Sequence, residues 1–311
     1  MGTETESCAI CGSVAVPTAV HGVRDYITGD SFRLVTCVDC GYTRTDPVPA
    51  SLDRYYPSRY RRFSAPAAFV LRRIYLRRVD GWLARLPRTG DALEIGSGTG
   101  WMLGALRARG WRAVGSERSV ESAAIARDGS GAPVFVGDIA GVRAEPVLDL
   151  VIMFHVLEHL ADPVAALHAV AARLRPGGAL VLGIPNIGSW QARFAGRRWM
   201  HLDAPRHLVH FTPRAIALAL EGSGFRVAHV SFISFEHDPL GWVQAALERL
   251  GFEDGLVLKI LFRSPRKTGA GGVALATLLA IPLGLVSAGL AVISWRMGAG
   301  ALMQVWAVRE P

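Results

Sequence analysis

All four cysteines of the chain lie in two short runs near its start, Cys8-Ala9-Ile10-Cys11-Gly12 and Cys37-Val38-Asp39-Cys40-Gly41. Two thiolates three residues apart on a tight turn grip one side of a metal ion, and the glycine after each pair permits the left-handed backbone that closes the turn. Cys8, Cys11, Cys37 and Cys40 together supply the closed four-sulfur shell of a structural zinc site. Such a shell leaves no open coordination position, so the expected zinc holds structure and does no chemistry. Disulfides are the alternative, which a reducing cytosol disfavours. Met1 to Ser7 carries two glutamates and no apolar run, so the reading here is a cytoplasmic chain without a secretory signal.

A second stretch suited to chemistry is Leu93-Glu94-Ile95-Gly96-Ser97-Gly98-Thr99-Gly100. A short apolar run ends in three alternate glycines, and a helical pattern starts at Trp101. That spacing turns a chain sharply off a strand and brings backbone N–H groups close to a ligand at a helix N-terminus. A plain β-turn is the alternative for this stretch taken alone. Glu117 stands about 20 residues further on, where a nucleotide-binding βαβ unit keeps an acid for ribose hydroxyls. Gly137-Asp138 puts a second carboxylate at the end of the strand Val134-Phe135-Val136.

The elements that must hold these residues follow from the apolar periodicity. Strands are expected at 92–95, 111–115, 134–136, 148–154 and 179–184, with helices at 101–109, 119–127 and 163–174 between them. Strand and helix alternating at this spacing make an α/β fold, a doubly wound and mostly parallel sheet with ligands at its C-terminal edge. Half of the 311 residues are apolar, ample for a large core. The net charge of +8 admits nucleic acid, anionic lipid or acidic substrates as partners. Only Lys259 and Lys267 among the 34 basic residues are lysines, so a coding bias toward arginine is the competing explanation of that charge.

Leu93–Gly100, Glu117, Gly137-Asp138, 149–160 and 174–184 resemble the successive signature motifs of class I S-adenosylmethionine-dependent methyltransferases. Val156-Leu157-Glu158-His159-Leu160 and Leu174-Arg175-Pro176-Gly177-Gly178 distinguish the set from dinucleotide-binding chains. The resemblance covers about 91–236 and implies a seven-stranded Rossmann-like core. It implies that Glu94, Gly96, Gly98 and Gly100 wrap the methionine part of the cofactor, that Glu117 holds the ribose, and that Asp138 with Ile139 holds the adenine. The backbone at Phe154 and His155 would lie near the sulfonium. A CxxCG ribbon ending in Asp46-Pro47-Val48-Pro49 before such a core is similar to bacterial zinc-ribbon methyltransferases, some acting on sugars.

Methyl transfer needs aligned donor and acceptor, and a hydroxyl acceptor must also lose a proton. Histidine suits that step near neutral pH. His155 and His159 after the fourth strand, and His207 after the fifth, are the candidates, with capping and loop-anchoring roles as the alternative. The pattern His155-x-x-Glu158-His159 with a later histidine is similar to the metal-binding set of small-RNA 2′-O-methyltransferases, which begins with Glu where this chain has His155. No Asn/Asp-Pro-Pro-aromatic run follows strand four, as the resemblance would require of exocyclic-amine DNA methyltransferases. With every cysteine in the ribbon, covalent attack on a pyrimidine is excluded. An oxygen or nitrogen acceptor is expected, with carbon as the further option.

Helix 213–222, strand 226–235 and a last strand at 302–308 would complete the sheet. Between them, 237–296 forms an apolar insert the core does not need. Thr268 to Trp295 holds no charged residue and is long enough to cross a bilayer. A single crossing would strand the last strand on the wrong side of the membrane, so a monotopic helical hairpin bent near Pro282 and Gly284 is expected. Lys259, Arg263, Arg266, Lys267 and Arg296 would meet anionic headgroups. A buried apolar helix or dimer interface is the alternative. The segments read as 1–50 zinc ribbon, 51–90 basic linker and lead-in helix, 91–236 plus 297–311 methyltransferase core, and 237–296 insert. The function read from these is methyl transfer to a small-molecule, glycan or lipid-linked acceptor at the inner face of the cytoplasmic membrane. A zinc-ribbon RNA methyltransferase and a non-catalytic cofactor-binding protein are the alternatives.

Overall fold

A computed structural model of the chain describes residues 7–56, 65–139, 147–261 and 267–311. Residues 57–64 of the basic linker, and Arg263 and Arg266 of the insert, lie outside the described residues. The strands are β1 (Thr18–Arg24), β2 (Ser31–Thr36), β3 (Thr43–Asp46), β4 (Asp91–Ile95), β5 (Arg112–Glu117), β6 (Val134–Val136), β7 (Leu148–Phe154), β8 (Leu174–Pro185), β9 (Val209–His210), β10 (Phe225–Ser231) and β11 (Leu302–Arg309). The helices are α1 (Ala65–Leu83), α2 (Trp101–Ala108), α3 (Val120–Ser130), α4 (Pro163–Arg173), α5 (Trp190–Ala195), α6 (Pro213–Gly222), α7 (Asp238–Arg249), α8 (Leu256–Leu261) and α9 (Ala270–Arg296).

Seven strands form one sheet in the order β10-β11-β8-β7-β4-β5-β6. The β4–β5, β4–β7, β5–β6 and β7–β8 pairs are parallel. Leu150, Val151, Ile152 and Met153 of β7 are completely buried, which is why this central strand reads as an unbroken apolar run. Helix boundaries carry their chemistry on the surface of the sequence. Ser119 caps α3 by accepting from the Ser122 N–H, and Asp162 caps α4 just before Pro163. The expected core is this Rossmann-like sheet with flanking helices.

The chain divides into two compact units. A ribbon unit comprises Met1–Ala65, Pro185–Ile216 and Ser231–Met303, and a core unit comprises Pro66–Ile184, Ala217–Val230 and Gln304–Pro311. This regroups the expected segments, because the cysteine ribbon is not a separate module. Its sheet runs β1-β2-β3-β9, and β9 pairs antiparallel with β3 through Thr43↔His210 and Arg44↔Val209. Phe32, Leu34 and Tyr55 then share one apolar cluster with Trp199 and Leu202.

Arg206 sits at the centre of the ribbon unit with no exposed surface. Its guanidinium donates to Asp25 at 2.6 Å, to Asp203 at 2.7 and 2.8 Å, and to the Tyr55 carbonyl at 2.9 Å. Its remaining face lies 4.9 Å over the Tyr26 ring. A fully buried cation is tolerated because nearly every donor has an oxygen and the charge has two carboxylates.

The insert also departs from expectation. Instead of a hairpin bent at Pro282, α9 runs as one helix of 27 residues through that proline. Proline removes one backbone donor inside the helix, yet the helix continues on both sides of it despite Gly284. Helices α7 and α8 precede it, and Val243, Leu247 and Leu256 pack against Ala276 of α9. Asp238, at the start of α7, accepts from Trp295 at the end of α9 and from the Ala301 N–H just before β11.

Replacing Arg206 with alanine leaves Asp25 and Asp203 buried without their cation. We expect a loss of about 3–5 kcal/mol in stability, read as a lower urea midpoint by tryptophan fluorescence. An unchanged midpoint would mean the pair is not what holds the ribbon unit.

Candidate active site

In the core unit β4 ends in the glycine turn, with Gly96, Gly98 and Gly100 all at positive φ. At Gly96 an added Cβ would meet Val156 Cγ2 at 2.5 Å, so only glycine fits. Above Gly98 nothing lies within 4 Å of such a Cβ, so the turn is open on the side where a ligand would approach. The Gly98 N–H donates to Glu117 Oε1 at 2.6 Å, which fixes that carboxylate at the end of β5 beside the turn. Asp138 is exposed just beyond β6, with Ile139 buried next to it.

Glu94 is only 1% exposed, and neither of its carboxylate oxygens has a hydrogen-bond partner among the described residues. Burial raises its pKa well above the usual carboxylate range. The charge of Glu117 adds to this, and the nearby Leu103 backbone N–H, too poorly aligned to count as a full hydrogen bond, offsets it in small part. A buried acid with orphaned oxygens beneath an open glycine turn suits a cationic ligand, which would favour its charged form. S-adenosylmethionine, with an ammonium, a sulfonium and a ribose, matches this acidic, glycine-lined set.

At the end of β7, His155 has φ 57°, a strained conformation for a residue with a Cβ. Its backbone N–H donates to the Gly183 carbonyl of β8 at 2.8 Å, and its Nδ1–H donates to Glu158 Oε1 at 3.1 Å. Glu158 is 1% exposed, on a short 3-10 turn that also carries His159. Bonding at Nδ1 places the imidazole lone pair on Nε2, the arrangement a general base needs.

Helix α1 supplies a wall for this edge that the sequence reading did not assign. Phe154 meets Tyr75 at 5.8 Å, Trp82 at 5.9 Å and His155 at 4.8 Å between ring centroids. Tyr75 also meets Trp101 at the start of α2. Arg78 lies 4.8 Å over the Phe154 ring, whereas Arg72, Arg73 and Arg77 face solvent. The spacing of Tyr75, Arg78 and Trp82 on one helical face was the available signal.

The structure therefore brings His155 and Glu158 together in the core unit, with His159 on the same turn. His207 belongs to the ribbon unit, where it is 2% exposed and its Nδ1–H donates to the His201 carbonyl at 2.8 Å. Thr45 Oγ1 donates to the His207 carbonyl, linking β3 to this loop.

The four cysteines converge. Cys8 and Cys40 Sγ are 3.7 Å apart, Cys11 and Cys37 Sγ are 3.6 Å apart, and all four lie within 4.8 Å of one another. Tetrahedral zinc with Zn–S bonds of about 2.3 Å needs sulfurs about 3.8 Å apart, so this donor set fits that ion. Gly12 and Gly41 adopt the left-handed backbone, as the knuckle pattern requires.

A model of the methyltransferase domain family matches residues 62–230, more than half of the chain. No curated protein matches. Among solved structures, the chain is similar to an S-adenosylmethionine-dependent methyltransferase of Thermotoga maritima, with 20% identity over 78% of this chain and 93% of that one and a TM-score of 0.49. One from Archaeoglobus fulgidus gives 18% identity over 76% and 94% with a TM-score of 0.49. Geranyl diphosphate C-methyltransferase of Streptomyces coelicolor gives 13% identity over 75% of each chain with a TM-score of 0.47. Likenesses at these identities say nothing about substrate. The open glycine turn with its two acids and the family match lead to one assignment: the chain belongs to the methyltransferase domain family, as a class I S-adenosylmethionine-dependent methyltransferase.

Proposed function

We propose that this enzyme methylates an oxygen or nitrogen, with carbon as the further option, on a glycan or lipid-linked acceptor at the cytoplasmic face of a membrane. The observation that carries the acceptor class is the outer face of α9. Leu278, Ile281 and Leu285 are 66%, 67% and 76% exposed, and Leu275, Val286, Val292 and Ile293 extend the same surface. At about 1.5 Å per residue the helix is about 40 Å long. Its opposite side packs on α7, and the chain returns to β11 at once, which favours lying in the interface over spanning it. Lys267 and Arg296 flank the apolar run and suit anionic headgroups.

Glu94, Gly96, Gly98, Gly100, Glu117, Asp138, Ile139 and the Phe154–His155 backbone would hold S-adenosylmethionine, which supplies an electrophilic methyl group when bound. His155, oriented by Glu158, is the group placed to accept a proton from an acceptor hydroxyl, with His159 and His207 as the other candidates. The four cysteines would hold a structural zinc ion. A second reading, an RNA acceptor, draws on the solvent-facing Arg72, Arg73 and Arg77 of α1.

Three outcomes test this. Gly98→Asp should abolish S-adenosylmethionine binding in calorimetry, because it fills the open side of the turn with a third acid. Burial raises the pKa of Glu94 in the free enzyme, and a bound cation should lower it again. Binding should therefore strengthen as pH rises and release protons, measured in buffers of different ionisation enthalpy, and Glu94→Gln should remove that release. The triple variant L278E/I281E/L285E should keep cofactor affinity but lose sedimentation with phosphatidylglycerol vesicles. Mass spectrometry of membrane lipids and glycans, with and without the gene, then identifies the acceptor as a species lacking one methyl group. Full-chain protein that ignores vesicles would refute the membrane reading.

A further inference from the structure

The ribbon unit encloses a cavity of about 350 Å³ that none of the chemistry above uses. It lies among β1 and the turn after it, the 3-10 turn at Gly196–Arg198, and α7 with the start of α8. Three arginines line it, Arg24, Arg197 and Arg198, all exposed at the head of the side chain. Arg24 and Arg197 have no ion-pair partner among the described residues. Arg198 reaches Asp254 at 3.2 Å and the Glu248 carbonyl at 3.3 Å, and this ion pair is about half exposed on both sides. Of the two other carboxylates in the lining, Asp203 is committed to Arg206 and Glu248 is buried on the floor, away from the mouth. The cavity mouth therefore carries uncompensated positive charge.

A β-bulge sits under one of these arginines. The β1–β2 register shifts between His21 and Val23, and Gly22 takes φ 78°. A Cβ on Gly22 would lie 3.9 Å from Arg197 Nη1, so the guanidinium rests over the bulge. Bulges of this kind re-aim a strand beside a site.

The floor is different. Gln244 and Glu248 of α7 are each 3% exposed. Glu248 Oε1 accepts the Gly255 N–H at 2.9 Å, while Oε2 is buried with no hydrogen-bond partner. Burial pushes this acid up to about 7, with Asp254 adding to the rise and the Gly255 N–H, Arg198 and Gln244 opposing it. Near neutral pH it can therefore donate as well as accept, which a hydroxyl partner requires. Tyr26, whose other face is covered by Arg206, gives the cavity an aromatic side.

We propose that this cavity binds a phosphorylated polyol, its phosphate held by Arg24, Arg197 and Arg198 and a hydroxyl held by Glu248 and Gln244. Planar guanidinium forks match phosphate oxygens, and a buried polar atom without a partner is costly until a ligand supplies one. The volume suits a molecule of about the size of a sugar phosphate. The site stands on the ribbon unit alone and does not depend on the acceptor reading above. A free sugar phosphate and the headgroup of a phosphoglycolipid share this chemistry.

Calorimetry on the full chain with glucose 1-phosphate, inorganic phosphate and glucose, and flotation with phosphatidylinositol vesicles, tests the proposal. Saturable binding of glucose 1-phosphate, weaker binding of inorganic phosphate and none of glucose would support it with a soluble ligand. Binding only to phosphatidylinositol vesicles, lost in the variants below, would support it with a lipid headgroup. Arg24→Ala with Arg197→Ala should weaken binding by about tenfold or more, and Glu248→Met should erase the preference for glucose 1-phosphate over phosphate. S-adenosylmethionine affinity serves as the folding control for both. Equal affinity for phosphate and glucose 1-phosphate, binding indifferent to the arginine pair, or no binding to any probe would overturn it.

Discussion

A guanidinium sealed away from water is the constraint on which the ribbon unit depends. Arg206 keeps its charge only because Asp25, Asp203 and the Tyr55 carbonyl meet it from three segments distant in sequence. None of these segments can move without exposing a buried charge. The cysteine ribbon is thus bound into the fold by an ion cluster as well as by β9. A module that looks detachable in sequence is in fact part of the framework carrying α5, α7 and α9.

The core unit obeys the opposite rule, with a carboxyl group buried and, among the described residues, left without hydrogen-bond partners. The oxygens of Glu94 lack partners where the donors of Arg206 nearly all have them. Beside it, Glu117 is positioned by a backbone N–H of the glycine turn, which leaves its other oxygen for a ligand. Saturated polar clusters rigidify, whereas unsatisfied ones cost stability until something binds. The two units hold the two kinds of cluster that architecture and recognition respectively need.

Much of this was legible in the residues. The glycine turn, the strand at Leu148–Phe154, the helix at Pro213–Gly222 and the cysteine knuckles follow from local pattern, and the structure has them at those positions. What stayed hidden depends on long-range partners. Two-residue β9 has no periodicity to detect, and it exists because β3 offers an edge. Arg206 looks like any loop arginine until Asp25 and Asp203 are seen around it. Pro282 reads as a break because proline usually is one, yet α9 continues as helix on both sides of it. The aromatic wall of α1 was visible as a spacing but not as a partner of Phe154.

Strand order carries a further consequence, for synthesis. β11 lies between β10 and β8 in the sheet, yet it is made after α9. As the chain leaves the ribosome, the gap between those two strands stays open while the most apolar helix emerges. The sheet can close only after that helix has been made, because β11 follows it in the chain. Completion of the seven-stranded sheet therefore follows synthesis of the longest helix, so the order of translation puts all of α9 before closure.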